Sequence, residues 1–385
     1  MMRYGNALLA SSYTESTRPS NLKDICGKIS AVLTDKYQVP ASQFENFKDY
    51  LYNKPGSPRY TPLRKALENG KQIKVEYQDL LLSSPKLPSS VGALTKKYYE
   101  DSLLLAQKLK LVNKDQNILL PRGRLSLSSG WSSDAPYNLN EKDKLYLGLW
   151  LLDVDRDWIW SFFNQLPDNP NFEINIENRV KLLLQSWQHV LNAKEILTGK
   201  SQDANVRSRI FELIKITERN VREGLNLGQP WSWFLMPRLE LLVDSGILYK
   251  KDRHKLSGYS LTSAGINFLS VCKSTDSGES LIDNYFYCRS SNKQSVEKSI
   301  QWNEIFEMLE SHSSVLQNSV GYFPIFETAC AICVSRYLNA ANDELFWEIK
   351  NIKETLRQES KSSSPRIRLA INRQGNIYAF KPINR

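Results

Sequence analysis

Apolar residues recur at helical spacing through most of this chain and alternate only in a few short runs. Leu22, Ile25, Ile29, Val32 and Leu33 form one stripe, which predicts a helix over 21–37. A short helix continues over 41–52, a turn follows at Lys54–Pro58, and Thr61-Pro62-Leu63 opens another helix with Pro at its first position. Ser83–Pro88 reads as a linker, after which Ser90 caps a helix reaching about Lys110. The Asn113-Lys114-Asp115 turn between two apolar runs predicts a hairpin. Asn140 with Asp143 forms an N-cap signal for a helix over 142–152, and Asp153 starts a second that runs to Leu166. Pro167–Pro170 is a break, and helices over 175–197 and 203–223 lead to Pro230.

Residues 230–269 carry the densest pattern. Leu239, Leu242 and Val243 mark one helix face, and Ser245-Gly246 ends that helix as a glycine cap. Ile247–Tyr249 and Tyr259–Leu261 read as strands flanking the turn 250–258, and Thr262 caps a final helix. The stretch 273–299 is rich in Ser, Asn and Lys and reads as a linker around an apolar island, Tyr285-Phe286-Tyr287. Amphipathic helices follow over 302–309, 326–338 and 343–358, then a polar break at Glu359–Pro365. Two alternating runs, Ile367–Ile371 and Ile377–Ala379, joined by Asn372–Gly375, signal a hairpin.

The wording LELLVDSGILYK…YSLTSAG resembles the winged helix superfamily. Leu242, Gly246, Ile247 and Leu248 match the pattern that closes the helix and opens the wing; Tyr259, Leu261, Thr262 and Gly265 match the pattern that closes the wing. The resemblance spans 230–269. Two other stretches follow the same order without the glycine-capped helix end. One is 102–127, with Pro121–Arg124 standing where Thr262–Gly265 stands; the other is 343–380. The expected fold is mainly α with small β-hairpins, tandem winged helix units separated by a helical region. Expected segments are helical 1–84, a winged unit 85–135, helical 136–225, a winged unit 226–272, a linker 273–300 and a helical domain 301–385 ending in a basic hairpin. No short-period repeat suggests a solenoid.

Lys and Arg total 51 against 41 acids, a net +10 that favours a polyanionic partner. The five cysteines are odd in number and unsuited to a disulfide framework, so a reducing cytoplasm is expected. Leu145–Phe163 is broken by Asp153, Asp155, Arg156 and Asp157 and reads as core rather than a membrane span.

Catalytic signals are poor, and no enzyme, cofactor or metal is expected. Gly199-Lys200-Ser201 lacks the earlier glycine and the preceding strand of a phosphate loop. Cys330 and Cys333 lack the further ligands that zinc needs. His189, His254 and His312 stand in unrelated contexts, and the three Asp of 153–157 suit a helix N-terminus. Asp343, Glu348 and Lys350 resemble a nuclease pattern in spacing, but their neighbours have helical rather than strand periodicity.

The winged helix resemblance implies a helix in the major groove and a basic wing on phosphates. Candidate nucleic-acid contacts are Arg122 and Arg124; Arg238; Lys250, Lys251, Arg253 and Lys255; and Arg366, Arg368, Arg373 and Lys381. From Lys361 onward the chain holds no acid, so the last hairpin is expected to keep its charge. The expected function is a non-catalytic protein that engages double-stranded DNA or adapts it to other protein subunits. Such chains accompany prokaryotic DNA-maintenance and anti-phage systems, an analogy of fold alone. The alternatives are a scaffold bridging subunits of an ATPase or nuclease complex and a transcriptional regulator.

Overall fold

A computed structural model describes residues 96–113, 119–131, 138–175, 178–198, 215, 230–250, 258–290, 300–339, 347–372 and 377–383. The expectations for 1–95 and, apart from the helical residue 215, for the helix at 203–223 lie outside the described residues. The chain divides into two units, one of residues 2–123 and 130–138, the other built from 124–129 and 139–385. The described residues are mainly α-helix with two small antiparallel sheets.

In the larger unit, α3 (Glu141–Gln165) starts at the expected capping box, with Asn140 and Asp143 exchanging side-chain and backbone hydrogen bonds. The two helices expected over this stretch are one element kinked at Asp155, which has φ −134 and ψ 21. There follow β1 (Glu173–Ile174), α4 (Arg179–Thr198), α5 (Pro230–Asp244), β2 (Leu248–Lys250), β3 (Tyr259–Leu261) and α6 (Ser263–Ser274). Next come α7 (Glu279–Asp283), α8 (Tyr285–Arg289), α9 (Trp302–Leu316), β4 (Phe323–Pro324), α10 (Ile325–Asn339), α11 (Ile349–Lys361), β5 (Ile367–Ile371) and β6 (Ile377–Pro382).

One connectivity is used twice. Among the elements with described bounds, helix, two-residue strand, helix, helix and hairpin occur as α3–β1–α4–α5–β2–β3 and again as α9–β4–α10–α11–β5–β6, with a further helical residue, Lys215, between α4 and α5. Both sheets place the second hairpin strand in the centre, in the orders β1-β3-β2 and β4-β6-β5. β1 pairs with β3, so a strand pairing joins residues on the two sides of the expected boundary at 225/226. The supposed linker also differs from expectation. Residues 279–289 form α7 and α8 and bury Leu281, Ile282, Tyr285, Phe286 and Cys288. Aromatic contacts run Phe163–Phe268–Tyr285–Phe286–Tyr337 through α3, α6, α8 and α10, which explains the apolar island.

The smaller unit holds α1 (Lys96–Lys108), and α2 (Pro121–Leu127) begins in it. The hairpin expected here is, among the described residues, a single bridge between Val112 and Leu119. Its geometry nonetheless matches the junction around Gly246. Leu111 N–H donates to Ala106 O at 2.8 Å, as Ile247 N–H donates to Leu242 O at 2.9 Å. Leu120 N–H returns to Leu111 O as Thr262 N–H returns to Ile247 O. A Cβ on Gly123 would collide with Leu111 O, and one on Gly265 with Ile247 O. The left-handed cap residue is Gly246 at φ +75 in one case and Lys110 at φ +60 in the other. A lysine therefore occupies the turn where sequence leads one to seek a glycine.

Candidate nucleic-acid interface

The last hairpin forms where expected, with residues 373–376 outside the described set. Ile367, Leu369 and Phe380 face inward, and Phe323 of β4 stacks on Phe380 at 5.7 Å. The pleat then turns the intervening residues outward. Arg368 and Lys381 are register partners on β5 and β6, both exposed. Neither has a carboxylate within ion-pair distance among the described residues. Lys381 Nζ donates to Val320 O at 3.0 Å and lies 5.9 Å from the Tyr322 ring. Like charges directly opposite one another destabilise a sheet, so this pair is a standing demand for an anion. Exposed Ile371 and Tyr378 stand towards the hairpin tip. Beside Lys381 lies an open groove of about 400 Å³ floored by Phe306, Leu309 and Phe323.

Arg366 corrects the expectation of an unneutralised tail. Its Nε and Nη2 pair with both Glu359 oxygens at 3.0 and 2.9 Å, and its Nη1 donates to Asn303. The acid comes from the end of α11, which extends to Lys361, into the expected polar break.

Cations of the other candidate segments are also engaged within the protein. Lys250 Nζ pairs with Glu240 Oε1 at 2.8 Å, with side-chain exposures of 8% and 0%. Tyr259 Oη donates to the same carboxylate oxygen at 2.7 Å. A lysine so enclosed cannot also reach a phosphate without breaking a buried ion pair. Arg238 bonds Asp155 at 2.5 Å and lies over the Trp158 ring, so Asp155, expected at a helix N-terminus, stands at the kink inside α3 and serves a side chain. From Leu235 onward α5 is largely buried, unlike a helix that reads a groove. Arg122 is only 3% exposed, within the helix α2. Arg124 Nε donates to Val315 O at 2.7 Å. Lys251, Arg253, Lys255 and Arg373 lie outside the described residues.

Sequence did not single out the charged face of α11. Ile349, Ile352, Thr355 and Leu356 are buried, which turns Lys350, Glu354, Arg357, Gln358 and Lys361 the other way. The signal was available in the helical spacing of those cations opposite the apolar stripe. At the start of α11, Glu348 is 5% exposed and accepts the Tyr287 N–H at 2.8 Å and, more weakly, that of Phe286. Burial pushes its carboxyl up to about 8, against the lowering effect of those N–H groups and of Lys350. Cys330 and Cys333 are fully buried in α10, and burial raises the Cys333 thiol well above its ordinary range.

Among the described residues no group of three or more His, Cys, Asp or Glu is placed to hold a metal ion. No described helix is long and apolar enough to cross a membrane. Comparison with family models, curated proteins and solved structures gives no match.

Proposed function

We propose that this chain is a non-catalytic nucleic-acid-binding protein of the reducing cytoplasm. It engages the DNA backbone through its C-terminal hairpin and presents it to a larger complex. The observation that carries this reading is the exposed cross-strand pair Arg368 and Lys381, two cations with no acid in ion-pair reach among the described residues. The repeated helix–strand–helix–helix–hairpin order supports a tandem winged helix architecture, in which a hairpin lies along phosphates. A scaffold role has its own support in the first copy, where Arg238 and Lys250 are spent on Asp155 and Glu240.

The test is a salt titration of the full chain on a fluorescent duplex. Binding should weaken as log salt rises, and Arg368→Ala with Lys381→Ala should lower the slope by about one unit per lost contact. A wild-type chain that fails to bind duplex at low salt would sink the reading.

A further inference from the structure

Strand register matches the two copies residue by residue. Ser260 on the central strand pairs with Glu173 and Tyr249, and Phe380 pairs with Phe323 and Leu369. Leu261 and Thr262 therefore correspond to Lys381 and Pro382, and Glu173 to Phe323. Counting back from Glu173 and Phe323, the buried Leu152, Ile159 and Leu166 fall on the buried Trp302, Leu309 and Leu316, so α3 and α9 share one register. In the first copy Thr262 caps α6, which packs on the second half of α3. Phe268 meets Phe163 at 6.2 Å, Trp160 Nε1 donates to Thr275 O at 3.1 Å, and Lys273 Nζ donates to Asn164 O at 2.6 Å. In the second copy Pro382 stands where Thr262 does, and no helix follows β6 among the described residues. Trp160 and Phe163 correspond to Glu310 and Ser313. These two, with Lys381 and Pro382, line the open groove over Phe306, Leu309 and Phe323. The groove thus lies at the place that α6 fills in the first copy.

We propose that this groove receives an amphipathic helix of another protein, seated as α6 is seated, with an acidic first turn and a basic last turn. The inference goes beyond the nucleic-acid reading and stands without it. Charge selects both the occupant and its direction. α6 starts beside Leu261 and its C-cap, Thr275, meets Trp160, so a helix in the same seat starts beside Lys381 and ends at Glu310. Both residues are exposed, and neither makes an ion pair among the described residues. Acids are favoured at a helix start and cations at its end, so each preference of the incoming macrodipole coincides with an opposite charge already in the groove. Ser313 in place of Phe163 leaves room for one large apolar side chain above Phe306 and Leu309. The Ser313 hydroxyl donates to Glu310 O within α9 and asks nothing of the occupant. The 12 residues of α6 set the length of the seat, about 18 Å at 1.5 Å per residue. α6 of a second copy is not available to fill it, because Phe268, Leu269 and Cys272 are already buried. The apolar floor and the Glu310 carboxylate disfavour a nucleic acid at this place.

The experiment titrates the full chain into a fluorescent synthetic peptide of about 14 residues, acetylated and amidated, and reads anisotropy. The peptide carries Glu in its first turn, Leu and Phe at i, i+3, i+4 and i+7, and Lys in its last turn; a control peptide exchanges the charges. The wild type should bind the first peptide about tenfold more tightly than the control. Glu310→Lys combined with Lys381→Glu should reverse that preference, a gain for the control peptide that neither misfolding nor peptide helicity can mimic. Ser313→Trp should fill the seat and abolish binding of both peptides, with the urea midpoint and duplex binding of the wild type retained. Binding of neither peptide, equal binding of both, an unreversed preference in the charge-swapped variant, or undiminished binding by Ser313→Trp overturns the proposal. Self-association that blocks the peptide and is lost in Ser313→Trp makes a second copy the occupant and overturns the choice of partner. Lys381 belongs to both readings, so duplex binding is measured on the same samples. Duplex binding without peptide binding removes the groove proposal alone, and peptide binding without duplex binding sinks the hairpin reading alone.

Discussion

Replacing Glu348 by Gln should remove much of the pH dependence of this protein's stability. The carboxyl is almost fully enclosed and ties the N-terminus of α11 to the start of α8 through the Phe286 and Tyr287 N–H groups. Burial raises it from 4.5 to about 8; Asp283 acts in the same direction, and Lys350 opposes. Cys288 and Cys333 face it too, and its charge helps to raise their thiols. The folded chain therefore keeps a proton that the unfolded chain releases near its ordinary value. Below pH 4.5 both states are protonated and the site adds no pH dependence. Between 4.5 and about 8 only the folded state is protonated, so stability falls as pH rises; above about 8 the loss levels off. At about 1.4 kcal/mol per unit, the full loss is on the order of 5 kcal/mol. That is comparable to the whole net stability of many domains. Gln keeps an acceptor for Tyr287 N–H and never ionises. It should match the wild type near pH 5 and exceed it at pH 8.5 in urea midpoint. Parallel midpoint-against-pH curves for the two proteins would refute this account of Glu348.

Removing only the cation of the buried Lys250–Glu240 pair, by Lys250→Ala, should cost about 3–5 kcal/mol by leaving a buried carboxylate without its counter-charge. The same variant should leave the salt slope of DNA binding unchanged, as read by anisotropy. Lys110→Gly should stabilise the chain by about 1 kcal/mol, because a left-handed backbone suits glycine better than lysine. A lower urea midpoint for that variant would contradict the assigned cap.

Local chemistry was legible in sequence, and long-range partnership was not. The Asn140–Asp143 box, the Gly246 turn and the Thr262 cap were visible because each acts within four residues. The strands β1 and β4 are two residues each, too short for any periodicity to show, and they pair with strands distant in the chain. The Lys110 cap was hidden because a lysine holds the position that propensity reserves for glycine. The Ser- and Asn-rich composition of 273–299 suggested a linker. The aromatic path through Tyr285 and Phe286 makes its middle part of the core instead. Charge was countable but its fate was not. Lys250 and Arg238 meet acids from other elements, and Arg366 meets Glu359 from just before the acid-free tail.

The contrast between the two hairpins bears on how one connectivity can serve two ends. Enclosing Lys250 with Glu240 commits both charges to the interior, where separating them is costly and a partner gains nothing from them. Placing Arg368 beside Lys381 does the opposite. Mutual repulsion of exposed cross-strand charges costs the free protein only a fraction of a kcal/mol up to about 1 kcal/mol. An approaching polyanion relieves it while releasing counterions. A duplex would therefore bind the second copy in preference to the first, even though both share one strand order. On this reasoning the first copy supplies rigidity, through its buried pair and the aromatic path beside it, and the second supplies contact. Adding Glu at position 368 should then abolish duplex binding without lowering the urea midpoint. A charge change at Lys250 should do the reverse.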